Sequence, residues 1–91
     1  MELKWTRAAL SDPSRLHDFL APVNKHAAAR VVQALTRAPT TLLTNPRIAE
    51  QLFQFAPHDI RRTLVGHYEM RYAIEGDVIY VLRLWHTRED R

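Results

Sequence analysis

The chain has no cysteine and only 2 glycines, and of its 13 basic residues only Lys4 and Lys25 are lysines. Without cysteine, neither a disulfide staple nor a thiolate zinc site can form, which fits a reducing compartment. No apolar run approaches the ~18 residues needed to cross a bilayer. The opening residues place Lys4, Trp5, Thr6 and Arg7 where a secretory signal would carry its apolar core, so no membrane association and a cytoplasmic location are expected. Scarce glycine beside 46% hydrophobic residues excludes a disordered chain. There are no repeats and no low-complexity tracts. Ninety-one residues suit one domain, 1–91, because a second core would lack apolar surface.

Charge is present in moderation: a net +3 and a pI near 9.8. Arginine's planar fork suits carboxylates, phosphates and protein interfaces. A protein that coats duplex DNA needs a denser basic stripe, so an acidic protein partner fits the balance better. His17, His26, His58 and His67 show no ligand spacing. Neither a metal nor a cofactor is implied.

Residues 2–5 alternate and stop at Thr6, a good helix N-cap, which predicts a short first strand. A helix then begins at Arg7. Pro13, lacking an amide proton, is expected to break or restart it, with Ser11 or Asp12 as a second cap. Leu16, Phe19 and Leu20 form an apolar stripe, Ala21-Pro22-Val23 is a connector, and Asn24 caps a second helix. In that helix Ala28, Val31, Val32 and Leu35 recur at helical spacing. So short a link makes an antiparallel helical hairpin. Pro39 should end the regular pattern, with a further turn over residues 41–44 stopped at Asn45-Pro46. Residues 47–59 read as a loop fastened to the core by Ile48, Leu52, Phe53 and Phe55.

From Ile60 the period changes to two, predicting strands at 60–65, 67–74 and 78–86 with turns at Gly66 and 75–77. The expected class is α+β: an N-terminal strand and a helical hairpin packed on an antiparallel sheet of three further strands. A three-residue loop at 75–77 sets Ile74 opposite Val78, Tyr72 opposite Tyr80 and Met70 opposite Leu82. Tyr68, Met70, Tyr72 and Ile74 then share an apolar face with Val78, Tyr80, Leu82 and Leu84. On the other face Glu69 falls opposite Arg83 as an ion pair beside Arg71, Val81 and Trp85.

LKWT at 3–6, AAARVVQAL at 27–35, NPRI at 45–48, RRTLVGHYEMRY at 61–72 and YVLRLWHTRED at 80–90 together resemble the RelE/ParE superfamily of bacterial toxins. The resemblance implies a toxin silenced by a cognate antitoxin, which also carries the pair to operator DNA. It divides by target: RelE-like members cut messenger RNA on the ribosome, and ParE-like members act on DNA gyrase. Cutting RNA requires a base, an acid and cations around the phosphate. In Tyr68-Glu69-Met70-Arg71-Tyr72, Glu69 stands where a RelE-like nuclease has arginine, and the tyrosine such nucleases carry past the last strand is absent. Arg88 does match a basic position they use.

The favoured reading is therefore a ParE-like toxin that binds a protein target. Partner contacts are expected at Arg61, Arg62, Glu69, Arg71, Val81, Arg83, Trp85 and Arg88. The alternative is an mRNA endonuclease working through His86, Arg88 and Arg83. A second alternative is an inactive toxin fold that acts only in autoregulation, suggested by two departures, Pro13 and Ala49. Arg61 and Arg62 read either as a basic patch or as a solvated strand start, and His86 either as an acid or as a locally packed ring.

Overall fold

Thr6 closes the first strand and opens the first helix with one side chain. Its hydroxyl oxygen accepts the Ala9 N–H at 3.1 Å, while its O–H donates to the Leu82 carbonyl at 3.0 Å. The structure, a computed structural model, describes residues 1–89. Asp90, the last residue of the 80–90 stretch, and Arg91 lie outside the described residues. The elements are β1 (Glu2–Trp5), α1 (Arg7–Leu20), α2 (Lys25–Thr41), β2 (Glu50–Gln51), a 3-10 turn at Phe53–Phe55, β3 (Asp59–Val65), β4 (Tyr68–Glu75) and β5 (Val78–His86). They build one sheet in the order β1-β5-β4-β3-β2, with β1 parallel to β5 and the other pairings antiparallel. No helix among the described residues is long and apolar enough to cross a membrane.

The helical hairpin covers one sheet face. Ala9, Leu16 and Leu35 meet Tyr68, Met70, Tyr72, Ile74, Ile79, Val81 and Leu84 in a single core. Asn24 caps α2 as expected, accepting the Ala27 N–H at 3.0 Å.

Pro13 does not interrupt α1, nor does Pro39 end α2. A proline inside a helix costs roughly 3 kcal/mol through its missing N–H and its ring. In α1 tertiary contacts outweigh this, because Ala9 and Leu16 are fully buried on either side and Asp12 is bonded to the sheet. Pro39 sits in the final turn, buried against the core, where few downstream bonds remain to be lost.

The segment read as a loop contains β2, which pairs Glu50 with Arg62 and Gln51 with Arg61. Its fastening is polar as much as apolar. Leu52 is buried, but Ile48 and Phe53 are each 73% exposed. The Tyr72 hydroxyl donates to the Pro46 carbonyl at 2.7 Å, and the Arg61 guanidinium donates to the carbonyls of Arg47 and Ala49.

The last hairpin departs from the expected register. Glu75 pairs with Val78, so the loop is the two residues Gly76 and Asp77, with Gly76 at φ 56°. A tight two-residue turn needs that left-handed backbone, which glycine adopts without a Cβ clash. Ile74 then lies opposite Ile79 and Tyr72 opposite Val81; a bulge follows, after which Arg71 faces Arg83 and Met70 faces Leu84. The bulge at Leu82 lets Ile79, Val81 and Leu84 all point into the core at zero exposure. Val78, Tyr80 and Leu82, expected inside, are half-buried on the other side of the chain. Val81, expected to contact a partner, is a core residue.

Candidate functional site on the open sheet face

The face turned away from the helices is set by strand alternation. Its register aligns Arg62, Arg71 and Arg83 in one row across β3, β4 and β5, and Leu64, Glu69 and Trp85 in the next. Three like charges side by side repel unless carboxylates intervene. Glu69 does so from within: it is 1% exposed and accepts from Arg62 Nη1 and Arg71 Nη2, each at 3.1 Å. Arg62 also donates to Glu50 on β2 at 2.6 Å, which raises its already high pKa and fixes its charge. The expected Glu69–Arg83 pair is replaced by these two, because the hairpin register sets Glu69 opposite Trp85.

Arg83 belongs to a second cluster. β1 ends at Trp5 opposite Val81, and among the described residues no strand pairs with the β5 edge beyond it. Asp12, on the buried stripe of α1, fills that edge: it accepts the Leu84 N–H at 2.7 Å and bonds Arg83 and Arg15. Burial pushes the Asp12 carboxyl upward, but the bonds from Arg83, Leu84 and Arg15 more than offset it, and its pKa lies below the ordinary value. Arg15 further donates to the Leu84 carbonyl and to Glu89. Asp12 was overlooked as a site residue although the sequence carried a signal, an acid at helical spacing between Ala9 and Leu16 on the core stripe.

Aromatic rings complete the face. The Arg71 guanidinium carbon lies 4.8 Å from the Trp85 ring centroid and 5.6 Å from that of Phe55, and Arg83 lies 5.4 Å from Trp85. Arg71 Nε is buried and has no hydrogen-bond partner among the described residues. A cation held between two rings in this way is attracted by their quadrupoles and keeps a fixed orientation. The expected cluster of Arg62, Glu69, Arg71, Arg83 and Trp85 is thus brought together. Arg61 is not part of it: its side chain is 12% exposed and bonds Asp59 and the 47–49 backbone, a fastening role.

His86 ends β5 in a nest of rings. Phe19 and Tyr68 have centroids 5.6 and 5.0 Å away, the latter edge-on, and His67 lies at 6.4 Å. Its Nδ1 accepts the Arg88 N–H at 3.0 Å. That bond requires an unprotonated Nδ1. Desolvation, then the charge of Arg88 and His67, lower the imidazole pKa. Arg88 itself is exposed in the following turn. Of the three residues in the nuclease alternative, Arg83 commits its fork to Asp12, and His86 has one ring nitrogen already engaged.

Comparison with known proteins adds the following. Residues 3–91 match the family described as the ParE toxin of type II toxin-antitoxin systems, parDE. Among solved structures, one described as the chromosomal ParDE toxin–antitoxin system from P. aeruginosa superposes with a TM-score of 0.79 at 21% sequence identity. It covers 94% of this chain and 95% of that one. No curated protein matches.

Proposed function

This chain belongs to the ParE toxin family of type II toxin–antitoxin systems, and from that premise we propose that it arrests growth by binding a protein target, DNA gyrase, through its open sheet face, and that a cognate antitoxin silences it in the cytoplasm. The observation that carries the reading is that every arginine of the row is already paired with a carboxylate. Arg62, Arg71 and Arg83 each already bond a carboxylate of this same chain, Glu50, Glu69 or Asp12. A phosphodiester-cutting site needs cations free to gather around the developing charge. Here an entering phosphate would have to displace a buried carboxylate, and Glu69 would repel it. A partly desolvated aromatic platform of Trp85, Phe55 and Arg71, rimmed by charge, has instead the composition of a protein-binding hot spot.

Expression of the chain in growing cells tests the reading. Filamentation, DNA-damage signalling and inhibition of supercoiling by purified gyrase are the expected results. Rapid loss of translated messages, cut within codons, would replace it with the nuclease reading. Normal growth would leave the autoregulatory one.

A further inference from the structure

Ala73 is the small residue in a row that crosses the open face. The register sets it between Ile60 on β3 and Tyr80 on β5, and the row runs on to Lys4 on β1. A methyl group flanked by larger neighbours leaves a hollow. A cavity of about 360 Å³ opens there, with apolar walls from Ile60, Ala73, Leu82 and Pro57. That volume lies at the lower end of the roughly 300–1,000 Å³ usual for sites that take small groups.

The fixed charge lining the hollow has one sign. Asp59 and Glu75 line it, and no described lysine or arginine does. Asp59 accepts from Arg61 at 2.9 Å and lies 3.7 Å from Arg47. Glu75 is exposed at the end of β4, and its side chain has no ion pair or hydrogen bond among the described residues. The Tyr80 hydroxyl also lacks a partner among them. Lys4, further along the row, lies 3.8 Å from Glu2. By alternation Glu75 shares the face of Ala73, and it stands diagonal to Tyr80, within reach of a long side chain. The arginine row is neutralised within the chain, whereas this end of the face keeps an uncommitted carboxylate and phenol.

We propose that the hollow is a socket for one basic side chain, an arginine, of the protein target that the open face engages. Its methylene stem lies on Ile60, Ala73 and Leu82, and its guanidinium donates to the Glu75 carboxylate and the Tyr80 hydroxyl oxygen. An acidic side chain or a phosphate would be repelled by Asp59 and Glu75. A wholly apolar side chain would fill the hollow but leave both polar groups to water. The proposal rests on the target-binding reading above and deepens it. The partner must present a cation here, two residues along β4 from Arg71 and its aromatic platform.

Three probes of nearly one shape isolate the charge: benzamidine, benzamide and benzoate. Each is titrated into the full chain and followed by amide chemical shifts. Two variants accompany the parent after a check of thermal unfolding. Glu75→Gln removes the uncommitted charge at an exposed position, and Ala73→Leu fills the hollow. All three chains are also assayed for inhibition of supercoiling by purified gyrase. Should Ala73→Leu unfold, Glu75→Gln carries the test alone.

Saturable benzamidine shifts confined to residues 57–60, 73–75 and 80–82 are expected. Benzamide should bind about fivefold more weakly, Glu75→Gln should weaken benzamidine by about the same factor, and benzoate should leave these residues unmoved. Ala73→Leu should abolish benzamidine binding, and both variants should inhibit gyrase several-fold less. Benzamide or benzoate binding as well as benzamidine, shifts centred on Phe55 and Trp85, or unchanged binding by Glu75→Gln would overturn the socket. Gyrase inhibition equal in the parent and the variants overturns it too, and leaves the target reading standing. If the parent does not inhibit gyrase, that reading fails, and the probe series alone decides whether the hollow takes a basic group.

Discussion

The carboxylate of Asp12 and the backbone N–H of Leu84 meet at 2.7 Å, joining the first helix to the last strand. The bond completes an edge that β1 is too short to cover, and Arg83 and Arg15 add charge to the same carboxylate. Asp12→Ala leaves a buried N–H unpaired and should cost about 2–3 kcal/mol, read as a lower midpoint in urea at unchanged slope. A shift under a few tenths of that size would show that the strand edge is satisfied in another way.

The same carboxylate sets an acid limit. Its folded pKa lies below the ordinary 3.8, so it contributes stability that is complete above the unfolded value and lost as pH falls through the folded one. Unfolding free energy should therefore drop as pH is lowered below about 4. Asp12→Asn should flatten that part of the profile.

His86 acts in a higher window. Its pKa is lowered from 6.5, so the unfolded chain takes up a proton before the folded one does. Stability from this group is fully present above about 6.5 and declines as pH falls from there toward the folded value. Protonating Nδ1 also breaks the bond from the Arg88 N–H. His86→Phe should remove this slope in thermal unfolding measured between about pH 7 and 5.

Growth inhibition should survive His86→Ala within a few-fold. A folded variant that lost about a hundredfold or more would point to acid–base chemistry at that ring, a contribution of the size proton transfer supplies. Trp85→Ala should do the opposite. It removes the ring under Arg71 and Arg83, and an anchor of this kind is worth about 2 kcal/mol or more in a protein complex. On the proposed gyrase reading, inhibition in a dose series should fall at least in proportion.

Glu69→Gln preserves shape and removes one charge. Arg62 and Arg71 then lose their shared carboxylate, and the open face gains a net positive unit. Retention on a polyanion column should increase, in a salt-dependent way. If retention is unchanged, the arginine row does not depend on Glu69 for its neutrality.

Local signals made most of the elements readable. Thr6 and Asn24 announce helix starts because their side chains bond amides three residues on, and the switch from helical to twofold spacing at Ile60 marks the sheet. The β5 register was not legible. Val78, Ile79, Tyr80, Val81, Leu82 and Leu84 are apolar on both parities, so alternation could not choose which residues face inward. β2 escaped notice because two residues are too few to show a period. Arg62, Glu69, Arg71 and Trp85 were candidates from sequence and the fold gathers them on one face, but their pairings were not legible, since those follow from the register.

By itself the order of residues determined where the longer helices and strands lie, the absence of cysteine chemistry, and the resemblance to a toxin family. These depend on neighbours within a few positions or on motif. Only the tertiary structure decided that Pro13 lies inside a continuous helix, that Val81 is core, and that Asp12 and Glu69 each hold two arginines. Those outcomes are contests between a local cost and contacts made across the whole chain, and such contacts exist only once helices and sheet have met.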